Sequence, residues 1–216
     1  MGLFGFGKKQ PEENVKQLVP TETPVGNEVS LDLSKGRLNL KKGDFLNLTK
    51  SEVPLSNIKV GVGWDVARGM RVFDLDLYAA LLNERGGIVK KVYFGNLSEP
   101  GIKLSGDNLT GAGDGDDETI YLDFNKIPQN ISKVVFSVVI YRGKDRHQHF
   151  SDVSNAYVSL TDESASHSQQ LVRYDLSSNG GDNTAVKVAE IHKTTTGWIF
   201  KPLEIYSKDT IDSLTF

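Results

Sequence analysis

Short runs in which apolar and polar residues alternate recur along this 216-residue chain. They read "EVSLDL", "RLNL", "IKVGVGW", "RVFDLDL", "VKKVYF", "TIYLDF", "KVVFSVVIY", "NAYVSL", "QLVRYDL", "AVKVAEIHK" and "GWIFKPLEIY", and "KGD", "ERGG", "SEPG" and "SSNGGDN" break them. Period-two patterning punctuated by turn residues predicts an all-β, mainly antiparallel protein, a sandwich or a barrel. "KVVFSVVIY" is apolar almost throughout, which predicts a central strand buried on both faces. Helical signal is confined to Leu77–Glu84 ("LYAALLNE") and Ser207–Phe216 ("SKDTIDSLTF"), each a turn or two. Residues 1–27 lack the alternation, and "PTETPVGN" reads as an extended linker. The expected organisation is a flexible N-terminal tail over 1–27 and one domain over 28–216.

Composition narrows the function classes. An apolar fraction of 38% supports a real core, and a net charge of -3 supplies no basic field for nucleic acid. The absence of cysteine removes disulfides, thiol nucleophiles and cysteine-based metal sites. No apolar run reaches the roughly 20 residues of a membrane span, and the opening "MGLFGFGKKQPEENVK" lacks the layout of a signal peptide, so a cytoplasmic location is expected.

Charge is distributed unevenly. Ser105–Glu118, "SGDNLTGAGDGDDE", holds Asp107, Asp114, Asp116, Asp117 and Glu118 among four glycines, with no Lys or Arg between Leu104 and Leu122. Calcium takes 6 to 8 oxygen ligands at roughly 2.3 to 2.6 Å, and Asp and Asn oxygens on a glycine-rich, sharply turning backbone meet that demand. A solvated acidic loop is the plain alternative. Upstream, "FDLDL" as a strand sends Asp74 and Asp76 to one face, about 7 Å apart, either as a wet face or as joint ligands. An EF-hand is excluded, because a frame starting at Asp114 puts Thr119 where Gly is required and Asn125 where a bidentate Glu is required. "GAGDGDD" resembles one turn of a calcium-binding β-roll, an architecture that needs tandem copies.

The remaining motifs carry less. In "GLFGFGKK" Lys9 replaces the Ser or Thr of a phosphate loop, and "GVGWDV" lacks the third glycine of a dinucleotide fingerprint. "RHQHF" sets His147 and His149 two apart, but Arg142, Lys144 and Arg146 around them would repel a cation, so a polar strand end or basic contact patch is expected there. Neither GxSxG nor HExxH occurs, and no nucleophile or general base stands out.

The segments "VSLDLSKGRLNL", "VGVGWDV", "FDLDLYAALL", "VYFGNL", "GDNLTGAGDGDDETIYLDF", "VVFSVVIY", "FSDVSNAYVSL" and "LVRYDLSSNGGDNTA", in this order, resemble the TerD family of tellurium-resistance and general-stress proteins. The resemblance runs from about Glu28 to Trp198. It implies a β-sandwich with one or two short helices that binds one or two calcium ions and has no catalytic activity. It further implies partners in a stress or tellurite-resistance complex of the bacterial cytoplasm, with membranes reached only through those partners. By position it implies Asp74, Asp76, Asp107, Asn108, Asp114, Asp116, Asp117 and Glu118 as metal ligands, with Asp65 of "GWD" a weaker candidate. The family pattern has an acid where Ala112 stands, and the segment after Trp198 departs from it.

Three function classes are compatible with these residues: a non-enzymatic calcium-dependent stress factor, a calcium-dependent anionic-lipid-binding module, and a divalent-metal hydrolase using a carboxylate base. Basic or aromatic residues beside the acidic loop would favour the lipid class.

Overall fold

The computed structural model describes residues 25–32, 36–49, 54–66, 73–105, 115–164, 168–176, 180–195 and 197–216. Nearly all of the expected N-terminal tail, and the candidate ligands Asp107, Asn108 and Asp114, lie outside them.

Two sheets stack face to face. One has seven strands, in the order β1 (Asn27–Val29), β2 (Asp44–Asn47), β13 (Gly197–Ser207), β12 (Ala185–Thr194), β9 (Lys133–Ile140), β4 (Leu75–Leu82) and β5 (Ile88–Val92). The other has six, in the order β11 (Gln169–Asp175), β10 (Val153–Asp162), β3 (Asn57–Val66), β8 (Glu118–Asp123), β7 (Ile102–Leu104) and β6 (Ser98–Glu99). Among the described residues every pairing of named strands is antiparallel except β1 with β2. The all-β sandwich is thereby established. Its short helical elements are α1 (Gly143–Arg146) and a 3-10 turn at Phe150–Asp152.

The alternation in the sequence builds the core. Ile58, Val60, Val62 and Trp64 of β3 face Leu75, Leu77, Ala79 and Leu81 of β4 and the inward residues of β9 across one continuous cluster. β9 is buried along all but its first residue, as "KVVFSVVIY" predicts. Its outward Val135 and Val139 join Tyr78, Ala80 and Leu82 in a second cluster covered by Leu214.

That second cluster corrects two expectations. Leu77–Glu84 is not helical; Leu75–Leu82 is strand β4, buried at every position, so its Leu and Ala fill both faces of an interior strand. Local helix propensity loses to burial against two layers. Nor is Ser207–Phe216 helical: β13 ends at Ser207, and the rest is a turn followed by irregular chain. "RLNL" forms no strand; Leu38 makes an isolated parallel bridge to Val172, whereas "DFLN" forms the unforeseen β2. Among the described residues no helix is long and apolar enough to cross a membrane.

Candidate cation site at one end of the sandwich

Strand registers gather the acidic residues. β3 pairs with β8 through Val62 and Glu118, β4 with β9 through Leu75 and Ile140, and β3 with β10 through Val66 and Val153. One end of the sandwich therefore collects the close of β3, the start of β4 and the start of β8. Asp65, Asp74, Asp76, Asp116, Asp117 and Glu118 all occupy it.

Three consecutive acids leave β8 for different partners. The Glu118 side chain points between the sheets with Ile120 and Leu122, and its Oε2 accepts the Leu77 backbone N–H at 2.6 Å. Glu118 is 2% exposed, so a carboxylate ties the two sheets together at their rim. Asp117 clamps β3 twice: its amide donates to the Val62 carbonyl at 2.8 Å, and its Oδ2 accepts the Trp64 N–H at 2.9 Å. Burial raises the Asp117 pKa, the Trp64 amide opposes that, and the charges of Asp65 and Asp116 add to it. Asp116 lies on the outer face of β3, where its Oδ1 accepts from the Ser159 hydroxyl at 2.9 Å and its Oδ2 stands 3.4 Å from Lys59 Nζ.

The two glycines of "GVGW" make this possible. A Cβ on Gly61 would sit 2.2 Å from Asp116 Oδ2 and 2.7 Å from Ser159 Oγ; one on Gly63 would sit 2.4 Å from the Tyr157 ring. Only a bare backbone lets a carboxylate and a phenol lie flat on β3. Arg173 stacks on Tyr157 with its guanidinium carbon 3.5 Å from the ring centroid. Burial, then the Asp116 charge, pushes the Tyr157 hydroxyl up to about 12, so it remains protonated. Alongside, Asn155, left-handed at φ 53°, sits where the β10 register shifts and donates its side-chain amide to Asp65 Oδ2 at 2.7 Å.

Asp74 and Asp76 belong to the other surface of β4. Phe73, Leu75 and Leu77 point inward, so strand alternation sends the two aspartates outward with Tyr78. Both are buried, at 8% and 3% exposure. Arg146 Nη1 lies 3.7 Å from Asp74 Oδ2 and its guanidinium 5.1 Å over the Tyr141 ring. This draws on the basic stretch around "RHQHF". His147 ends α1 in a left-handed conformation and His149 caps the 3-10 turn with Asp152, so both histidines serve local structure.

β4 thus separates two carboxylate sets that share one end of the fold, Glu118 on its inner side and Asp74 with Asp76 on its outer side. Among the described residues no three His, Asp or Glu side chains converge as a metal-ligand group. The donors suit a hard cation in kind, being carboxylates alone. The cations beside this end, Lys59, Arg146 and Arg173, escape a linear reading because they lie 57, 30 and 57 residues from Asp116 along the chain. The only sequence signal for Lys59 is its place on the outward parity of β3 with Gly61 and Gly63.

The model of the TerD domain matches residues 37–215. The chain is 36% identical to stress response protein SCP2 of Bacillus subtilis (strain 168) over 189 residues, 80% of this chain and 94% of that one. It is 32% identical to tellurium resistance protein TerD of Serratia marcescens over 170 residues, 76% of this chain and 88% of that one. A crystal structure of a homologue of telluride resistance protein (TerD), SCO6318 from Streptomyces coelicolor A3(2), shares the fold with a TM-score of 0.62 at 24% identity, covering 73% and 94% of the two chains. The match extends past Trp198 to residue 215, which brings β13 and the chain after it within the domain despite their divergent sequence. On that span, and on the sandwich that carries it, the chain belongs to the TerD domain family.

Proposed function

We propose that this protein is a non-enzymatic, calcium-binding stress and tellurite-resistance factor of the bacterial cytoplasm, in which the ion orders the acidic loop and so forms a face for partner proteins. The observation that carries this reading is the gathering of six acidic residues at one end of the sandwich, on both sides of β4, adjacent in sequence to the segment bearing Asp107, Asn108 and Asp114. Asp74 and Asp76 with those three residues are the main ligands. Asp116, Asp117 and Glu118 anchor the near edge of the loop to β3 and β4 and complete the negative field. Calcium supplies charge neutralisation here: binding to the folded state alone stabilises it by mass action, about 2.7 kcal/mol at a hundredfold excess over Kd.

The test is calorimetric titration of chelator-treated protein with calcium and with magnesium, alongside Asp76→Asn and Asp117→Asn. The isosteric Asn at 117 still accepts the Trp64 amide, so lost binding there is not lost folding. Calcium affinity at least about tenfold weaker in both variants is expected, Asp76→Asn removing a ligand charge and Asp117→Asn a charge of the negative field beside it. Equal, weak heat in all three proteins ends the reading.

A second reading is favoured by the basic groups at the same end, Lys59, Arg146 and Arg173, which could meet anionic lipid once calcium bridges the carboxylates. Calcium-dependent sedimentation with phosphatidylserine vesicles would support it, and none at saturating calcium would reject it.

A further inference from the structure

The outer face of the seven-stranded sheet is roofed by the chain after β13. Leu214 is buried in the cluster of Tyr78, Ala80, Val135, Val139 and Ala185, and Ile211 and Phe216 pack partly buried beside it. The Phe216 ring stacks on Tyr78 at 5.7 Å and 15°, and Tyr78 stacks in turn on Tyr93 at 5.3 Å. Lys91 Nζ lies 5.7 Å from the Tyr78 centroid and Lys187 Nζ 5.8 Å from that of Phe216, so two cations border the seated rings.

Hydrogen bonding follows a different pattern. The Asp209 carbonyl accepts from Thr184 Oγ1 at 2.6 Å, which holds the start of the segment. Beyond it, among the described residues, every hydrogen bond of 210–216 closes within 209–214, through Ser213 and the Thr210 carbonyl. No ladder joins these residues to the sheet. Their turn would survive lifting intact, and only the side-chain anchors would be lost. The sheet below would also persist, since β4 and β9 are paired on both edges and packed against the inter-sheet core.

We propose that residues 210–216 form a displaceable strap, hinged where Lys208 pairs with Asp182 and Thr184 holds Asp209, and that the apolar strip beneath, centred on Tyr78, Val135 and Val139, is a docking surface for the same segment of a second copy. Exchange buries the same Leu214 and Phe216 surface in trans as in cis, so the folded halves exchange partners without exposing new apolar area. The strap and strip do not depend on the calcium reading.

The chain has no cysteine, so one introduced thiol is a unique reporter in the full-length protein. Leu214→Cys reports the strap, Leu77→Cys the inter-sheet core and Ser213→Cys an exposed neighbour. In native buffer Leu214→Cys should react with a thiol reagent at least about 100-fold faster than Leu77→Cys, and more slowly than Ser213→Cys, because the strap opens without global unfolding. A synthetic peptide of sequence KDTIDSLTF should raise the Leu214→Cys rate saturably by about threefold or more as it displaces the strap, and a version with Ser for both Leu and Phe should not. Equal rates at positions 214 and 77 overturn the strap, and a rate indifferent to the peptide overturns the docking surface. Phe216→Cys provides the same readout if Leu214→Cys fails to fold.

Discussion

Replacing Glu118 with Ala should be the most damaging single change among the acidic residues, with or without calcium. Glu118 is 2% exposed and its carboxylate accepts the amide of Leu77, itself a fully buried residue, so no water can substitute for the lost acceptor. An orphaned buried amide costs about 1–3 kcal/mol, and the one missing methylene about 0.8 kcal/mol. Relief from burying a carboxylate offsets part of this, leaving a net loss of about 2–3 kcal/mol. In a protein of this size that lowers Tm by about 5–10 °C. Glu118→Gln keeps an acceptor oxygen of the same reach and should lose half as much or less. The assay is urea unfolding at 25 °C, repeated in excess chelator and in saturating calcium, with m compared between variants. A Glu118→Ala loss under about 0.5 kcal/mol in chelator would refute the inter-sheet clamp. A loss confined to calcium would make Glu118 a ligand instead.

Two further outcomes follow from other contacts. Lys59→Met removes a cation 3.4 Å from Asp116 and should tighten calcium binding about 3- to 10-fold in the same calorimetry, a change of about 1 kcal/mol for one partly screened charge; weaker binding would contradict the electrostatic account. Burial acts to raise the Glu190 pKa, but the His192 hydrogen bond and the charges of Lys133, His192 and Lys201 outweigh it, and the folded value is lowered. The folded state therefore gains stability from ionised Glu190 above the unfolded pKa of about 4.3 and loses it as pH falls through the folded value. Glu190→Gln should cost about 1 kcal/mol at pH 7 and progressively less below pH 4, and a loss that stays constant down to pH 2.5 in pH-stepped urea melts would sink that assignment.

The sequence by itself determined the class of fold and the concentration of carboxylates in two short stretches. Alternation marked most of the strands among the described residues, and the unbroken apolar run of β9 marked its place in the middle of a sheet. "SGDNLTGAGDGDDE" and "FDLDL" marked carboxylates in unusual number, because charge and strand parity are written locally. Tertiary structure alone decided where those carboxylates go. The sequence of β4 reads in part as helix because Leu and Ala satisfy a helix stripe and a doubly buried strand equally well, and only a second layer on its outer face distinguishes them. That layer is Leu214 and Phe216, more than 130 residues downstream. Likewise Lys59, Arg146 and the Leu77 amide meet their acids only through sheet register and the stacking of two sheets. Such meetings are long-range pairings, and they leave no signal in the spacing of neighbours along the chain.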